Sequence, residues 1–226
     1  MMSALNKQTT NPVGATMDAT VLELLASRIC HDLISPVGAV HNGVEFLEDM
    51  GMGDHSADAI GLIAHSAQQA SAKLQVFRLA YGAGGRDPNI TPDDIYKAFD
   101  NLVTNDGKVK QDWDSKASLF GEEERPEGFC KILMGAMLMA QETLIKGGTI
   151  SVVPGVQSGS VHVVASGPDV TIRENVREAL ALALDPSDLD PRLVHPYVLS
   201  VIAQQYGYKI NILEENVGTI TFILSR

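Results

Sequence analysis

Ala26-Ser27-Arg28-Ile29-Cys30-His31-Asp32-Leu33-Ile34-Ser35-Pro36 is the stretch that decides how this chain is read. Its apolar residues belong to a longer series: Leu22, Leu25, Ile29, Leu33, Val40, Val44 and Leu47. They recur mostly every three or four positions, which predicts an amphipathic helix with one buried stripe. At about 100° per residue, His31 lies roughly 200° around that helix from Ile29 and faces away from the stripe. Arg28 and Ser35, three before and four after, are expected to share its exposed face. Asp32 is rotated toward the stripe's edge. Pro36 brings no N–H and crowds the carbonyl of Asp32, so a bend is expected beside His31, with room for a docking partner.

A histidine beside a carboxylate on the wet side of a helix has little structural work to do. A neutral imidazole nitrogen can attack phosphorus. A neighbouring carboxylate can hold the other ring nitrogen and steady the cation that forms. Adjacent helical residues diverge, so Asp32 alternatively meets the attacking group or a partner. The plainer reading is a surface histidine next to a surface aspartate. The six-residue pattern in its helical setting argues against it, because such a match is rare at average composition.

The first helix is expected from about 18 to 49, broken by Gly51, Gly53 and Asp54. A second, from about 56 to 81, carries Ile60, Ile63, Ala67, Ala70, Leu74 and Phe77 at helical spacing. Together they make an antiparallel hairpin, residues 18–83, with a long apolar stripe and no sheet over it. Pairing with a second copy into a four-helix bundle buries that stripe, which predicts a homodimer. Residues 1–17 are polar and lack the order of a signal peptide, so they read as a mobile tail. Gly82-Ala83-Gly84-Gly85-Arg86-Asp87-Pro88 marks a boundary, with residues 84–90 as linker.

Residues 91–226 read as a mixed domain. Thr91-Pro92-Asp93-Asp94 starts a helix, with Thr91 as N-cap, Pro92 in the first turn and two acids at the positive end. A strand is expected from 108 to 114 with Trp113 as anchor, then a helix from about 126 to 145 ended by Gly147-Gly148. Strands at 149–153 and 160–165, helices at 172–184 and 192–206, and a hairpin pairing 208–213 with 218–224 complete the order. The fold class is α+β: a helical hairpin followed by an α/β sandwich with helices on one face of a sheet.

Composition narrows the function. The chain has 226 residues, 45% hydrophobic, and a net charge of −11. That charge argues against nucleic acid, which wants a basic face. The longest apolar run, Ile132 to Ala140, is too short to span a bilayer, so no membrane partner is expected. Two cysteines without metal-type spacing suit a reducing cytoplasm. Cys30 diverges from His31 by one helical step and reads as buried filler rather than a nucleophile. His41, His55 and His65 lack convergent ligands and read as surface or partly packed. Met134, Met137 and Met139 read as core.

The segment from His31 to Pro36 resembles the H box of histidine kinase dimerisation domains, His-Asp/Glu-Leu-x-Asn/Ser/Thr-Pro. The wider match from Ala26 to Pro36, with Gly43 and Leu47-Glu48-Asp49 following, resembles the ChpT-type histidine phosphotransferases of alphaproteobacteria. More weakly, the likeness extends over nearly the whole chain. It implies a dimeric phosphorelay protein in which His31 accepts a phosphoryl group from a receiver aspartate and passes it to another. It implies catalytic roles for His31 and Asp32 and supporting ones for Arg28, Ser35 and Pro36. Arg28 could attract the phosphoryl group or merely solvate a helix face; guanidinium geometry suits phosphate. Ser35 sits where related kinases use a polar side chain to position water. The implied partners are the receiver of a hybrid kinase upstream and CtrA-like response regulators of the cell cycle downstream.

The second domain has the element order of a histidine kinase ATP-binding domain, but the boxes differ. Counting back from Gly147-Gly148, Gly135 and Met139 fall where kinases place two asparagines for ATP and Mg²⁺, and neither offers a side-chain oxygen. Ala165-Ser166-Gly167-Pro168-Asp169-Val170 resembles Asp-Thr-Gly-Pro-Gly-Ile with Ala165 in place of the adenine-holding aspartate and Asp169 in place of the second glycine. The lid position, Pro186 to Arg192, has no glycine to cradle phosphate. The expectation is a pseudo-kinase domain without ATP or metal of its own, with Mg²⁺ supplied by the receiver. Asn101-Leu102-Val103-Thr104-Asn105 imitates the asparagine box, but Asn105-Asp106-Gly107 is a turn signal. The rival readings are an ATP-dependent sensor kinase and a non-catalytic scaffold for receivers.

Overall fold

The computed structural model describes residues 18–50, 56–83, 87–121, 124–157 and 159–226. The expected tail 1–17, the break at residues 51–55 and linker residues 84–86 lie outside the described residues. Helices α1 (Ala19–Met50) and α2 (Ser56–Ala80) form the hairpin. Gly43 lets them approach closely: a Cβ there would sit 2.6 Å from the Ile63 side chain. α1 runs through Pro36 without ending.

The remaining elements are α3 (Pro92–Asp106), β1 (Val109–Gln111), α4 (Phe129–Thr143), β2 (Gly148–Pro154), β3 (Val161–Ser166), α5 (Val176–Leu180), a 3₁₀ turn (Pro186–Asp188), α6 (Val194–Gln205), β4 (Lys209–Asn216) and β5 (Thr219–Ser225). The sheet order is β1-β2-β3-β5-β4, with β1 parallel to β2 and every other pair antiparallel. β3 and β5 alternate strictly: Val161, Val163, Ala165, Ile220, Phe222 and Leu224 are buried. That period of two gives the sheet one face for helices. α3 begins as its residues predict, with a reciprocal Thr91–Asp94 capping box and Pro92 in the first turn. Its end is Gly107 at φ 69°, whose N–H donates to the Val103 carbonyl.

α4 is the centre of the core. Every residue from Phe129 to Ala140 is buried, so the apolar run of the sequence is a helix covered all round. The last turns of α2 join the same core through Val76, Leu79 and Ala80. The two regions are therefore separate along the chain but share one hydrophobic cluster.

Several sequence expectations are corrected. The stretch 172–184 holds only the short helix α5. In the N-terminal stripe Val21 is buried and Leu22 is 52% exposed, because α1 begins by packing on Leu189, Leu193, Val194 and Val198 of the second domain. Val44, Ile60 and Leu74 are exposed too. Cys30, expected to be buried, is exposed: it shares its helix face with Ile34 and Val37, both exposed, which no described element of this chain covers.

Candidate functional site

His31 projects from the middle of α1, with its side chain 90% exposed. Its Nδ1 lies 3.6 Å from Oδ1 of Asp32, whose side chain is about one-third exposed. That separation is too long for a hydrogen bond but close enough for charge stabilisation. Adjacent helical residues can therefore meet at their tips, and the carboxylate faces one ring nitrogen while Nε2 is left toward solvent. Ser35, one turn on, is exposed as expected, and Pro36 is buried.

Pro36 has a second consequence. In a regular helix its N–H would donate to the Asp32 carbonyl four residues back, and proline has none. Lys73 of α2 supplies the donor, with Nζ 2.9 Å from that oxygen.

Arg28 is placed differently from the expectation. It does not solvate the helix face beside His31. Its side chain is only 17% exposed, and it pairs with Glu142 at the end of α4 and donates to the Pro191 carbonyl at 3.3 Å. The second domain packs over this part of α1, so the residue one turn before His31 is enclosed. Burial acts to lower the Arg28 pKa, but Glu142 and Tyr81 outweigh it and hold the guanidinium charged. Burial pushes the Glu142 carboxyl upward, while Arg28 pulls it back.

Tyr81, just past α2, and His195 of α6 make a second tie. His195 is fully buried, and burial, aided by the Arg28 charge, lowers its pKa to about 3. It is therefore neutral. Its Nε2 lies 3.0 Å from the Gly135 carbonyl, an acceptor only, so Nε2 carries the proton. Nδ1 then accepts from the Tyr81 hydroxyl. A third tie runs from Lys131 of α4, whose Nζ donates to the Gly82 carbonyl at 2.6 Å.

Arg28, Glu142 and Tyr81 wall a cleft of about 840 Å³ between the hairpin and the second domain, and His31, Asp32 and Lys73 line it together with Phe77, Arg173 and Arg192. An exposed nucleophilic nitrogen at the rim of an amphipathic cleft suits attack on a group carried in by another protein. Sequence reasoning missed Lys73, Tyr81, Glu142 and His195. Glu142 left one trace, a charge two residues after a long apolar run. The others find their partners only through packing between elements, Lys73 on α1 and Tyr81 on His195 of α6.

The boxes that differ from kinases are filled. A Cβ on Gly135 would collide with the Leu199 side chain. Ala165 is buried in β3, and Asp169 pairs with Lys146 at 3.1 Å. The cavity beside Met139, lined also by Thr143, Val176 and Phe222, measures about 20 Å³. Asn101 and Asn105 sit at the end of α3, where the Asn105 amide donates to the Asn101 carbonyl at 2.8 Å; the turn reading of that segment holds. Among the described residues, no group of His, Cys, Asp and Glu has the geometry for a metal ion, and no helix is long and apolar enough to cross a membrane.

Residues 92–216 match the histidine phosphotransferase C-terminal domain family. The chain is 33% identical to the protein phosphotransferase ChpT of Brucella abortus (strain 2308) over 192 residues, covering 84% of this chain and 88% of that protein. It also superposes on a bacterial phosphotransferase solved at 1.7 Å, with a TM-score of 0.73 and 28% identity over 93% of this chain and 98% of that one.

Proposed function

Because this chain belongs to the histidine phosphotransferase family, we propose that it relays phosphoryl groups between receiver domains through Nε2 of His31. The observation that carries the reading is the exposed imidazole beside Asp32 at the rim of the interdomain cleft. The Nε2 lone pair attacks phosphorus as the bond to the donor's aspartate breaks, and the electron pair leaves with that carboxylate. The Nδ1 proton stays in place and the Asp32 charge balances the resulting imidazolium. The reverse step delivers the group to a second receiver. The transition state is loose, so positioning and charge neutralisation do most of the work.

The upstream partner in this reading is the receiver of a hybrid kinase, and the downstream ones are CtrA-like response regulators. Mg²⁺ comes with the receiver. The second domain serves as part of the docking surface and not as an ATPase; the cavity of about 20 Å³ beside Met139 supports this, since small-molecule sites measure roughly 300–1,000 Å³. The chain acts in the cytoplasm as a homodimer. Ile34, Val37 and Val44 of α1 and Ile60 and Leu74 of α2, all exposed, support the second point, since a paired copy would cover them.

The test is transfer of radiolabel from an aspartyl-phosphorylated receiver. Wild type takes label and His31→Gln takes none, with unchanged thermal unfolding. Equal labelling of both sinks the relay and leaves a scaffold. Calorimetry with Mg-ATP shows no heat; measurable binding turns the reading toward a kinase.

A further inference from the structure

The helix that carries His31 has a defect built into it, and a residue outside that helix repairs it. Pro36 leaves the Asp32 carbonyl without its helical donor. An unpaired carbonyl invites a turn to bend or to take in water. The turn in question is the one whose side chains are the phosphoryl acceptor and its carboxylate neighbour. Lys73 crosses from α2 and donates to that carbonyl at 2.9 Å. It is partly buried, and it lines the same cleft as His31 and Asp32. An ammonium has three donors and one suffices for the carbonyl. A solvated lysine would not be held at a backbone oxygen of the neighbouring helix, because ordering so long a side chain carries a large entropic cost.

We propose that Lys73 is a positioning residue for phosphoryl transfer, holding the Asp32 carbonyl so that the Asp32 carboxylate stays on Nδ1 of His31 and Nε2 faces the incoming phosphorus. The inference rests on the reading of His31 as acceptor. Without the clamp the turn is free to swing, and the imidazole loses its carboxylate neighbour and its aim. The chemistry then slows, while the surface that receives the partner stays the same. Arginine at this position keeps a charged donor of similar reach; methionine keeps the stem and removes the donor.

The experiment measures single-turnover transfer from an aspartyl-phosphorylated receiver domain to the full-length protein, over a range of receiver concentrations. Lys73→Met is expected to lower the saturating rate about tenfold, with the half-saturating receiver concentration unchanged within twofold. Lys73→Arg is expected to stay within threefold of wild type. Restoring the missing N–H separates the clamp from a general charge effect: in the double variant Pro36→Ala, Lys73→Met the backbone repairs itself, and the rate is expected to return to within threefold of Pro36→Ala alone. Circular dichroism on each variant reports folding, and if Lys73→Met does not fold, the comparison of the double variant with Pro36→Ala decides. An unchanged saturating rate in Lys73→Met overturns the proposal and leaves the role of His31 standing. So does a double variant that stays as slow as Lys73→Met. Wild type that takes no label overturns both.

Discussion

Two histidines in this molecule are tied to the same interdomain junction and have opposite fates. His31 holds its side chain almost wholly in solvent, with a carboxylate oxygen 3.6 Å from Nδ1. His195 is fully buried, accepts from Tyr81, donates to Gly135 and is held neutral with a pKa of about 3. The first has no packing role; the second has no access to a substrate. A buried neutral imidazole whose two nitrogens are both engaged is a structural tie. An exposed one with a single charged neighbour keeps one nitrogen for chemistry. Local spacing marks His31 as exposed but does not mark His195 as buried, since both are helical. The difference lies in which helix face the second domain covers.

The largest expected effect breaks that frame where it lies closest to the reactive imidazole. Arg28 and Ser35 flank His31 at helical spacing, yet one is enclosed and the other exposed. Arg28→Ala leaves the half-buried Glu142 carboxylate without its partner and is expected to cost about 3 kcal/mol, the upper end for a hydrogen bond between charged groups. Ser35→Ala is expected to stay within about 0.5 kcal/mol. Urea unfolding of both variants checks the contrast, and equal stabilities would contradict the enclosed placement of Arg28. A smaller effect is expected at the other end of the frame. His195→Leu removes two hydrogen bonds and leaves the Gly135 carbonyl and the Tyr81 hydroxyl without their partner, for a loss of about 2 kcal/mol. Because His195 does not reach the cleft rim, the label-transfer rate per folded molecule stays near that of wild type, whereas His31→Gln gives the reverse pattern.

Much of this was legible in the sequence. Period-four and period-two hydrophobicity located the hairpin and the strands, and Thr91 with Asp94 announced the start of α3. The exposure of His31 followed from its angle to Ile29. What was not legible came from contacts between elements. Val21 is buried and Leu22 is not because α6 and the segment before it pack on the start of α1, and a single helix cannot show which half of its wide apolar face wins. Helical spacing places Arg28 beside His31 but discloses no partner for it, because Glu142 lies 114 residues away. The clamp by Lys73 spans 41 residues; Pro36 disclosed the empty carbonyl, but nothing in the chain disclosed its donor.

A last expected effect concerns pH and is carried by His195. A histidine whose folded pKa lies near 3, against an ordinary value of 6.5, binds fewer protons in the folded state between those limits. The unfolded chain takes up the extra proton, so stability is full above pH 6.5 and falls as pH is lowered toward 3. The slope from this one group is at most about 1.4 kcal/mol per pH unit. Carboxylates such as Asp93, Asp94 and Asp185, whose pKa values are lowered by hydrogen bonds from Lys97, Thr91 and Ser187 respectively, lose their own contributions at acid pH. Those losses are common to wild type and variant. The difference in unfolding free energy between wild type and His195→Leu therefore isolates the imidazole: the gap is expected to be widest at pH 7 and to shrink steadily between pH 6 and 4. A gap for His195→Leu that does not change with pH would mean that the ring is hydrated in the folded protein, and the tie between α2, α4 and α6 would have to be redrawn through water.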